Sequence, residues 1–356
     1  MFKVISEPES PSENPYISVV VTAYDRKEFI LEAVKSVIDQ TLERSKYEII
    51  VVKNYFNPEI DKFLSGNDVF NIYTDEKPLG AMLAYGIEKS RGKVVSFLED
   101  DDLYLPYKLK EVYEVFQGNK DVVYFKHSVV ETRNVYDVLA ETVEKQKMTQ
   151  LRKVFLVSKL ISIKKIYTVQ NYGVENTSSI SIKKNYYLKF HTIFQRLNHL
   201  TDVTFFFLSL LMGDEHVKLC FQTSPLSIYR MHDSWTGYDA TSSQGDFIKK
   251  NLKIAEEGVK SYEIIIKILS SECKHDKRVF LLLQHIDLGI NAWRAQAKLI
   301  EGKKCMFNEI ISVIKAGYYK KDLQVLVAAI LAFLSYFSPY YTSKIFRFGL
   351  TLQQFK

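Results

Sequence analysis

The chain has 356 residues, 47% of them hydrophobic and 25% charged, with 48 Lys and Arg against 42 Asp and Glu. That length suits one large domain with an appendage, or two domains, and the composition excludes wholesale disorder. Cys220, Cys273 and Cys305 lie far apart with no CxxC pair, which argues against a disulfide framework or a cysteine-rich zinc site and for a reducing compartment. The polar start MFKVISEPESPSENPY lacks the apolar centre of a signal peptide, so the expected location is the cytoplasm.

The net charge of +6 is unevenly spread. Residues 246–356 hold 18 Lys and Arg to 10 Asp and Glu, a net +8, which leaves 30 and 32, a net −2, for residues 1–245. A basic tail on a near-neutral body fits an anionic surface, lipid or nucleic acid, and fits a solvated helical face equally well.

Residues 1–15 read as a disordered lead-in, rich in Ser, Pro, Glu and Asn. ISVVVTAY, 17–24, is a continuous β-branched run of the kind buried on both faces of a parallel sheet. Asp25, with Glu28 three residues on, has the pattern of a capping box before a helix carrying Ile30, Ala33, Val34, Val37 and Ile38. Strands follow at 47–53 (YEIIVVK) and 69–74 (VFNIYT), then a helix over 78–90. VVSFL, 94–98, is a strand that runs into Glu99, Asp100, Asp101 and Asp102. A helix begins at Pro106, and DVVYFKH, 121–127, is again a strand. The alternation predicts βαβ units and a doubly wound α/β sheet. Residues 131–172 are looser and read as helical and variable. A strand over 178–184, a helix over 202–213 and two short strands, HVKLCF and PLSIYRMH, close the region at His232. Beyond Asp246 the pattern is helical. LQVLVAAILAFLSYF, 323–337, has 15 residues without a charge, short of the roughly 20 that span a bilayer. It reads as an interfacial or a buried helix, with Lys315, Lys320, Lys321, Lys344 and Arg347 favouring a membrane surface.

FLEDDDLYLP, 97–106, is the sharpest feature. Four adjacent carboxylates repel one another, and oxygen ligands of this kind select Mg²⁺ or Mn²⁺. The carboxyl ends of strands in an open α/β sheet are also where ligands bind. A solvated acidic loop ahead of the next helix is the plainer alternative, less suited to a run that directly follows a buried strand. No GxxxxGK[ST] or GxGxxG loop is present, so neither a P-loop NTPase nor a dinucleotide-binding enzyme is supported, and phosphates would be held through the metal.

VVVTAYDR (19–26), EIIVVKN (48–54), PLGAMLAYGIEKSRGKVVSFLEDDDLYLP (78–106) and YRMHDS (229–234) together resemble family 2 of the nucleotide-sugar glycosyltransferases, over about residues 16–235. The resemblance implies a GT-A fold, a Rossmann-like α/β domain over 16–245 with an acceptor-side insertion at 131–172, followed by a helical region over 246–356. Carried over by position, Thr22, Ala23 and Tyr24 line the donor base, and Glu99, Asp100 and Asp101 match the DxD motif. Asp101 is then the metal ligand, and Glu99 or Asp100 reaches the ribose or a second metal position. Asp202 stands where the family has its catalytic base, although Thr201 replaces the usual acidic neighbour and a plain helix cap is the alternative. His232 matches the histidine of an Arg-x-His segment near metal or diphosphate, with a structural histidine as the alternative. Where the family has an acidic pair after its second strand, this chain has Lys53 and Asn54, of which Asn54 can hydrogen-bond a base edge. No QxxRW segment or set of long apolar spans points to a processive, membrane-embedded synthase.

The expectation is therefore an inverting transfer from a nucleoside-diphosphate sugar to a glycan or lipid-linked acceptor. It is assisted by Mn²⁺ or Mg²⁺, takes place in the cytoplasm or on the cytoplasmic face of a membrane, and needs no nucleic-acid partner. A sugar nucleotidyltransferase lacks support without a GxGTR-type loop. A non-catalytic module binding membrane or nucleic acid through the basic tail leaves the Glu99–Asp102 cluster without a purpose.

Overall fold

The computed structural model describes residues 2–9, 14–76, 78–144, 152–159, 162–166, 169, 176–211, 216–232, 244–272, 277–320 and 323–353. The chain divides into two compact units, one of residues 1–160 with 172–231, the other of 161–171 with 232–356.

The first unit is built on a ten-stranded mixed sheet. In chain order its strands are β1 (Phe2–Ser6), β2 (Ile17–Ala23), β3 (Tyr47–Lys53), β4 (Phe70–Thr74), β5 (Val94–Glu99), β6 (Leu103–Tyr104), β7 (Val122–Thr132), β8 (Arg152–Leu156), β9 (Ile180–Lys183) and β10 (Lys218–Arg230). The order across the sheet is β1-β4-β3-β2-β5-β9-β7-β10-β6, with β8 paired to β10. Strands β4, β3, β2 and β5 run parallel, and every residue of β2 and β3 is buried, as β-branched runs without polar alternation require. Chain order reverses at β2: β3 and β4 extend to one side and β5 to the other. Such a reversal leaves a crevice at the carboxyl ends of the strands. Those ends are Ala23 of β2 and Glu99 of β5, and the register sets Thr22 beside Glu99 and Ala23 beside Lys53. An α/β mixed sheet flanked by helices and followed by a helical region is the architecture expected.

Several expectations are corrected. The lead-in is not structureless, because Phe2–Ser6 pairs antiparallel with β4; residues 10–13 lie outside the described residues. Asp25 does not cap the first helix, which starts at Ile30 with Phe29 before it and no side-chain cap. Asp25 instead takes φ +57°. An unanticipated helix, Pro58–Ser65, is capped by Asn57, whose side chain accepts from the N–H groups of Glu59 and Ile60. The loose stretch contains the end of β7, a helix over Val135–Glu144 and β8; residues 145–151 and 170–175 lie outside the described residues. The two strands expected near 216–232 are one, β10, whose register slips between Gln222 and Ser227 around Pro225.

The second unit contains helices Gln244–Glu272, Lys277–Glu301, Phe307–Lys320, Leu323–Leu334 and Pro339–Gln353. Part of its core joins Ala295, Leu299, Cys305, Ile310, Val313, Ala329, Leu331 and Ala332. Among the described residues no helix is long and apolar enough to cross a membrane.

Candidate active site

The acidic run begins where β5 stops pairing. The Asp100 N–H donates to the Thr22 carbonyl at 3.1 Å, which fastens the run to the end of β2. Asp100, Asp101 and Asp102 are buried, and Glu99 is partly so. Each carboxylate has its own partners. Arg26 Nη2 donates to Asp100 Oδ1 at 2.6 Å, and its other terminal nitrogen pairs with Asp101. Asp102 accepts from Asn176 Nδ2 at 2.8 Å and from the Arg230 N–H at 3.2 Å, while Arg230 Nε donates to the Asp101 carbonyl at 3.0 Å. The Glu99 N–H donates to Ser178 Oγ at 2.9 Å, and the Glu99 side chain hydrogen-bonds Thr177.

A short turn, Thr177–Ser179, thus organises the cluster from the far side. It is held from below by the fully buried Lys108, whose Nζ donates to the Ser178 carbonyl at 2.5 Å and to Ser227 Oγ at 3.2 Å. Thr177 also reaches Thr201 Oγ1 at 3.2 Å, and Thr201 opens the helix Thr201–Leu211. Asp202 lies in the first turn of that helix, after Leu200 at φ +61°. Its carboxylate accepts from the backbone N–H groups of Asp202 and Val203.

The electrostatics follow from crowding and burial. Desolvation, then the charges of Asp101 and Asp202, push Glu99 up to about 8, against the opposing hydrogen bond from Thr177. Desolvation raises Asp100 to about 7 despite Arg26, and desolvation with Asp101 and Glu99 carries Asp102 well above the ordinary carboxylate range. Asp202 is pushed up to about 6 by desolvation. A cluster that holds protons this far above their usual range is short of positive charge. Glu99, Asp101 and Asp102 each offer an oxygen within 4.8 Å of the others. Beside them Asp100 Oδ2 and Asn176 Oδ1 are buried without a hydrogen-bond partner. These hard donors and their excess negative charge fit a divalent cation such as Mn²⁺ or Mg²⁺.

Of the residues named from sequence, Thr22, Glu99, Asp100 and Asp101 meet at the ends of β2 and β5, and the charge of Asp202 acts on Glu99. Asp100 faces Arg26, and Asp102 joins Glu99 and Asp101 in the group able to hold a metal. Ala23 is buried and Tyr24 partly exposed at the end of β2. Asn54 is tied to Asp25: its Nδ2 donates to Asp25 Oδ1 and its Oδ1 accepts the Asp25 N–H, both at 2.8 Å. This reciprocal pair accounts for the left-handed backbone at Asp25, and it brings a carboxylate to the end of β3, where the chain itself supplies none. Lys53 is fully buried, donating to the Tyr55 carbonyl and pairing with Asp61, both at 2.8 Å. Its charge is therefore spent on structure. His232 begins the second unit and is not one of the three residues gathered as metal donors. Arg26, Asn176, Thr177, Ser178 and Arg230 were not foreseen as site residues, and Asp102 was foreseen only as a member of the acid run. The signal for the turn was the polar run Asn176–Ser179 directly ahead of a buried strand, and all four residues are buried.

Residues 18–170 match the model of glycosyl transferase family 2. An uncharacterised glycosyltransferase of Rickettsia typhi is 30% identical over 116 residues, 32% of this chain and 36% of the relative. The chain thus aligns with only about a third of that protein's length. One of Haemophilus influenzae is 24% identical over 256 residues, 70% of this chain and 81% of the relative. Among solved structures, a mannosyltransferase from Pyrobaculum calidifontis in complex with GDP-Man and Mn²⁺ superposes with a TM-score of 0.48 at 11% identity, covering 99% of this chain and 90% of the other. Over residues 18–170 the chain is thus similar to glycosyl transferase family 2.

Proposed function

We propose that the chain is an inverting glycosyltransferase that moves a sugar from a nucleoside-diphosphate sugar to an acceptor hydroxyl. The observation that carries this reading is the linkage of Glu99 to the start of the Asp202 helix through Thr177, beside the metal-holding group Glu99, Asp101 and Asp102. An acid cluster for the diphosphate side and a separate base for the acceptor side are the two elements a single displacement needs.

Asp202 takes the acceptor proton. Its carboxyl, raised to about 6, is ionised at neutral pH yet more basic than a solvated aspartate, the compromise general-base catalysis favours. The helix N–H groups hold that carboxylate in place. Asp101, Glu99 and Asp102 would hold the cation, which when bound supplies Lewis-acid charge to the departing diphosphate. Thr22, Ala23, Tyr24 and Asn54 line the nucleoside, and Asp100 reaches the ribose. The acceptor is a glycan or a lipid-linked glycan, reached from the cytoplasmic side.

The test is release of nucleoside diphosphate from a panel of UDP-, GDP- and dTDP-sugars with Mn²⁺, using the full chain. The reading expects turnover of one donor, lost with EDTA and lowered about 10²–10⁴-fold by Asp202→Asn. Turnover of none of the donors, or full turnover in the Asp202→Asn variant, would contradict it.

A further inference from the structure

Apart from Gln324 the helix Leu323–Leu334 is apolar, and among its described side chains one side packs into the core. Val325, Ala328, Ala329, Leu331 and Ala332 pack into the core of the second unit. Leu326, Val327, Ile330, Phe333 and Leu334 are exposed, and at 100° per residue they fall within an arc of about 120°. A helix hydrophobic all round is expected in a protein core or in contact with lipid, and this one is half in a core. The segment that follows extends the same chemistry: Tyr336, Phe337, Tyr340, Tyr341 and Ile345 are exposed, Phe337 by 71%.

A second piece of chain is fastened to the same end of the helix. The Cys305 N–H donates to Ser335 Oγ at 3.0 Å, which sets the loop carrying Lys304, Met306 and Phe307 against the helix terminus. Met306 and Phe307 are exposed, Phe307 by 75%. The Lys304 ammonium lies over the Tyr336 ring at 3.2 Å from its centroid, and Lys344 over Tyr340 at 4.6 Å. Residues 301–356 contain eight Lys and Arg (303, 304, 315, 320, 321, 344, 347, 356) against three acids, and Lys303 pairs with one of them, Glu301. A second, Glu309, is buried and paired with Lys298.

We propose that this face is a membrane-surface site that takes anionic phospholipid, lying in the interface without crossing it. Exposed aliphatics and phenylalanines would enter the acyl boundary, and tyrosines with lysines stacked on them suit the headgroup level. The basic excess identifies the occupant: a protein or second copy would need its own acidic complement, whereas an anionic leaflet supplies one without further design. The inference goes beyond the reading of the active site and stands without it.

The experiment is co-sedimentation of the full chain with vesicles of phosphatidylcholine alone and of phosphatidylcholine with 30% phosphatidylglycerol, at about 0.1 M salt. The proposal expects binding to the anionic vesicles alone. Phe333→Ser with Phe337→Ser should abolish it, and Lys304→Gln with Lys344→Gln should weaken it roughly thirty-fold. The four side chains lie outside the core, and the thermal midpoint of each variant checks folding; the lysine pair serves if the phenylalanine pair does not fold. Absence of binding, equal binding to neutral vesicles, or binding indifferent to both pairs would overturn the proposal. So would self-association in sedimentation velocity that the phenylalanine pair abolishes while vesicles bind nothing, which would assign the face to a second copy.

Discussion

At the scale of single residues, four adjacent acids do different work because their partners differ. Asp100 is answered by Arg26, and Asp102 by Asn176 and Arg230, while Glu99 carries a raised carboxyl beside Asp101. Thr177 is the residue whose removal should be most informative. Thr177→Val keeps the volume but deletes the hydroxyl bonded to Glu99 and Thr201, and a buried acceptor losing its donor costs about 1–3 kcal/mol. Transfer is expected to fall about ten-fold or more while the far-ultraviolet circular dichroism stays unchanged. Because the lost bond favoured the charged form of Glu99, the apparent affinity for Mn²⁺ should drop most at the acid end of the pH range, read by titration at pH 6 and pH 8. The acid run was legible in the sequence, since four carboxylates after VVSFL have no structural excuse. Its division of labour was not, because Asn176, Thr177 and Ser178 lie more than seventy positions downstream and reach the cluster only through the pairing of β9 with β5.

At the scale of elements, the legible strands were those buried on both faces. β2, β3 and β5 are dominated by β-branched, aromatic and aliphatic residues without polar alternation, and all but Glu99 are buried. β1 and β8 escaped because each pairs with a single strand, β4 or β10, and buries none of its residues fully, FKVIS and RKVFL, and short half-polar runs carry little periodic signal. β10 looked like two strands because Pro225 cannot donate to a ladder, and the structure absorbs it as a register slip. Asp25 misled for a different reason: capping-box spacing is local, and the competing partner, Asn54, sits on another strand. The packing of the helix Leu79–Lys89 on β2 yields a sharp test. A Cβ at Gly86 would lie 2.4 Å from Val20 Cγ1, so the helix can approach only as far as a glycine allows. Gly86→Ala should destabilise by about 1–3 kcal/mol, a loss of several degrees by calorimetry; an unchanged midpoint would mean that the helix sits farther from the sheet.

At the scale of the whole molecule, the site leaves a signature in stability against pH. Glu99 and Asp100, raised to about 8 and about 7 from ordinary carboxylate values, hold protons in the folded chain that the unfolded chain has already released. Between about pH 4.5 and 8 the folded state therefore binds more protons, and stability falls as pH rises through that window. In EDTA the thermal midpoint should be higher at pH 5.5 than at pH 8. Mn²⁺ requires the deprotonated carboxylates, so its stabilising effect should grow over the same interval. A midpoint in EDTA that rises toward pH 8 would show that the acid cluster is already neutralised by other means.

The measurement that bears most directly on the central claim is thermal unfolding of the full chain with UDP, GDP, CMP and dTDP, each with and without Mn²⁺, in wild type, Asp101→Asn and Asp202→Asn. A ligand at 100 times its dissociation constant adds ~2.7 kcal/mol. The account predicts a shift for one nucleotide that needs the metal, is lost in Asp101→Asn, and is kept in Asp202→Asn, whose side chain serves the acceptor. The absence of any nucleotide shift in the wild type, or a shift that Asp101→Asn leaves intact, would contradict it.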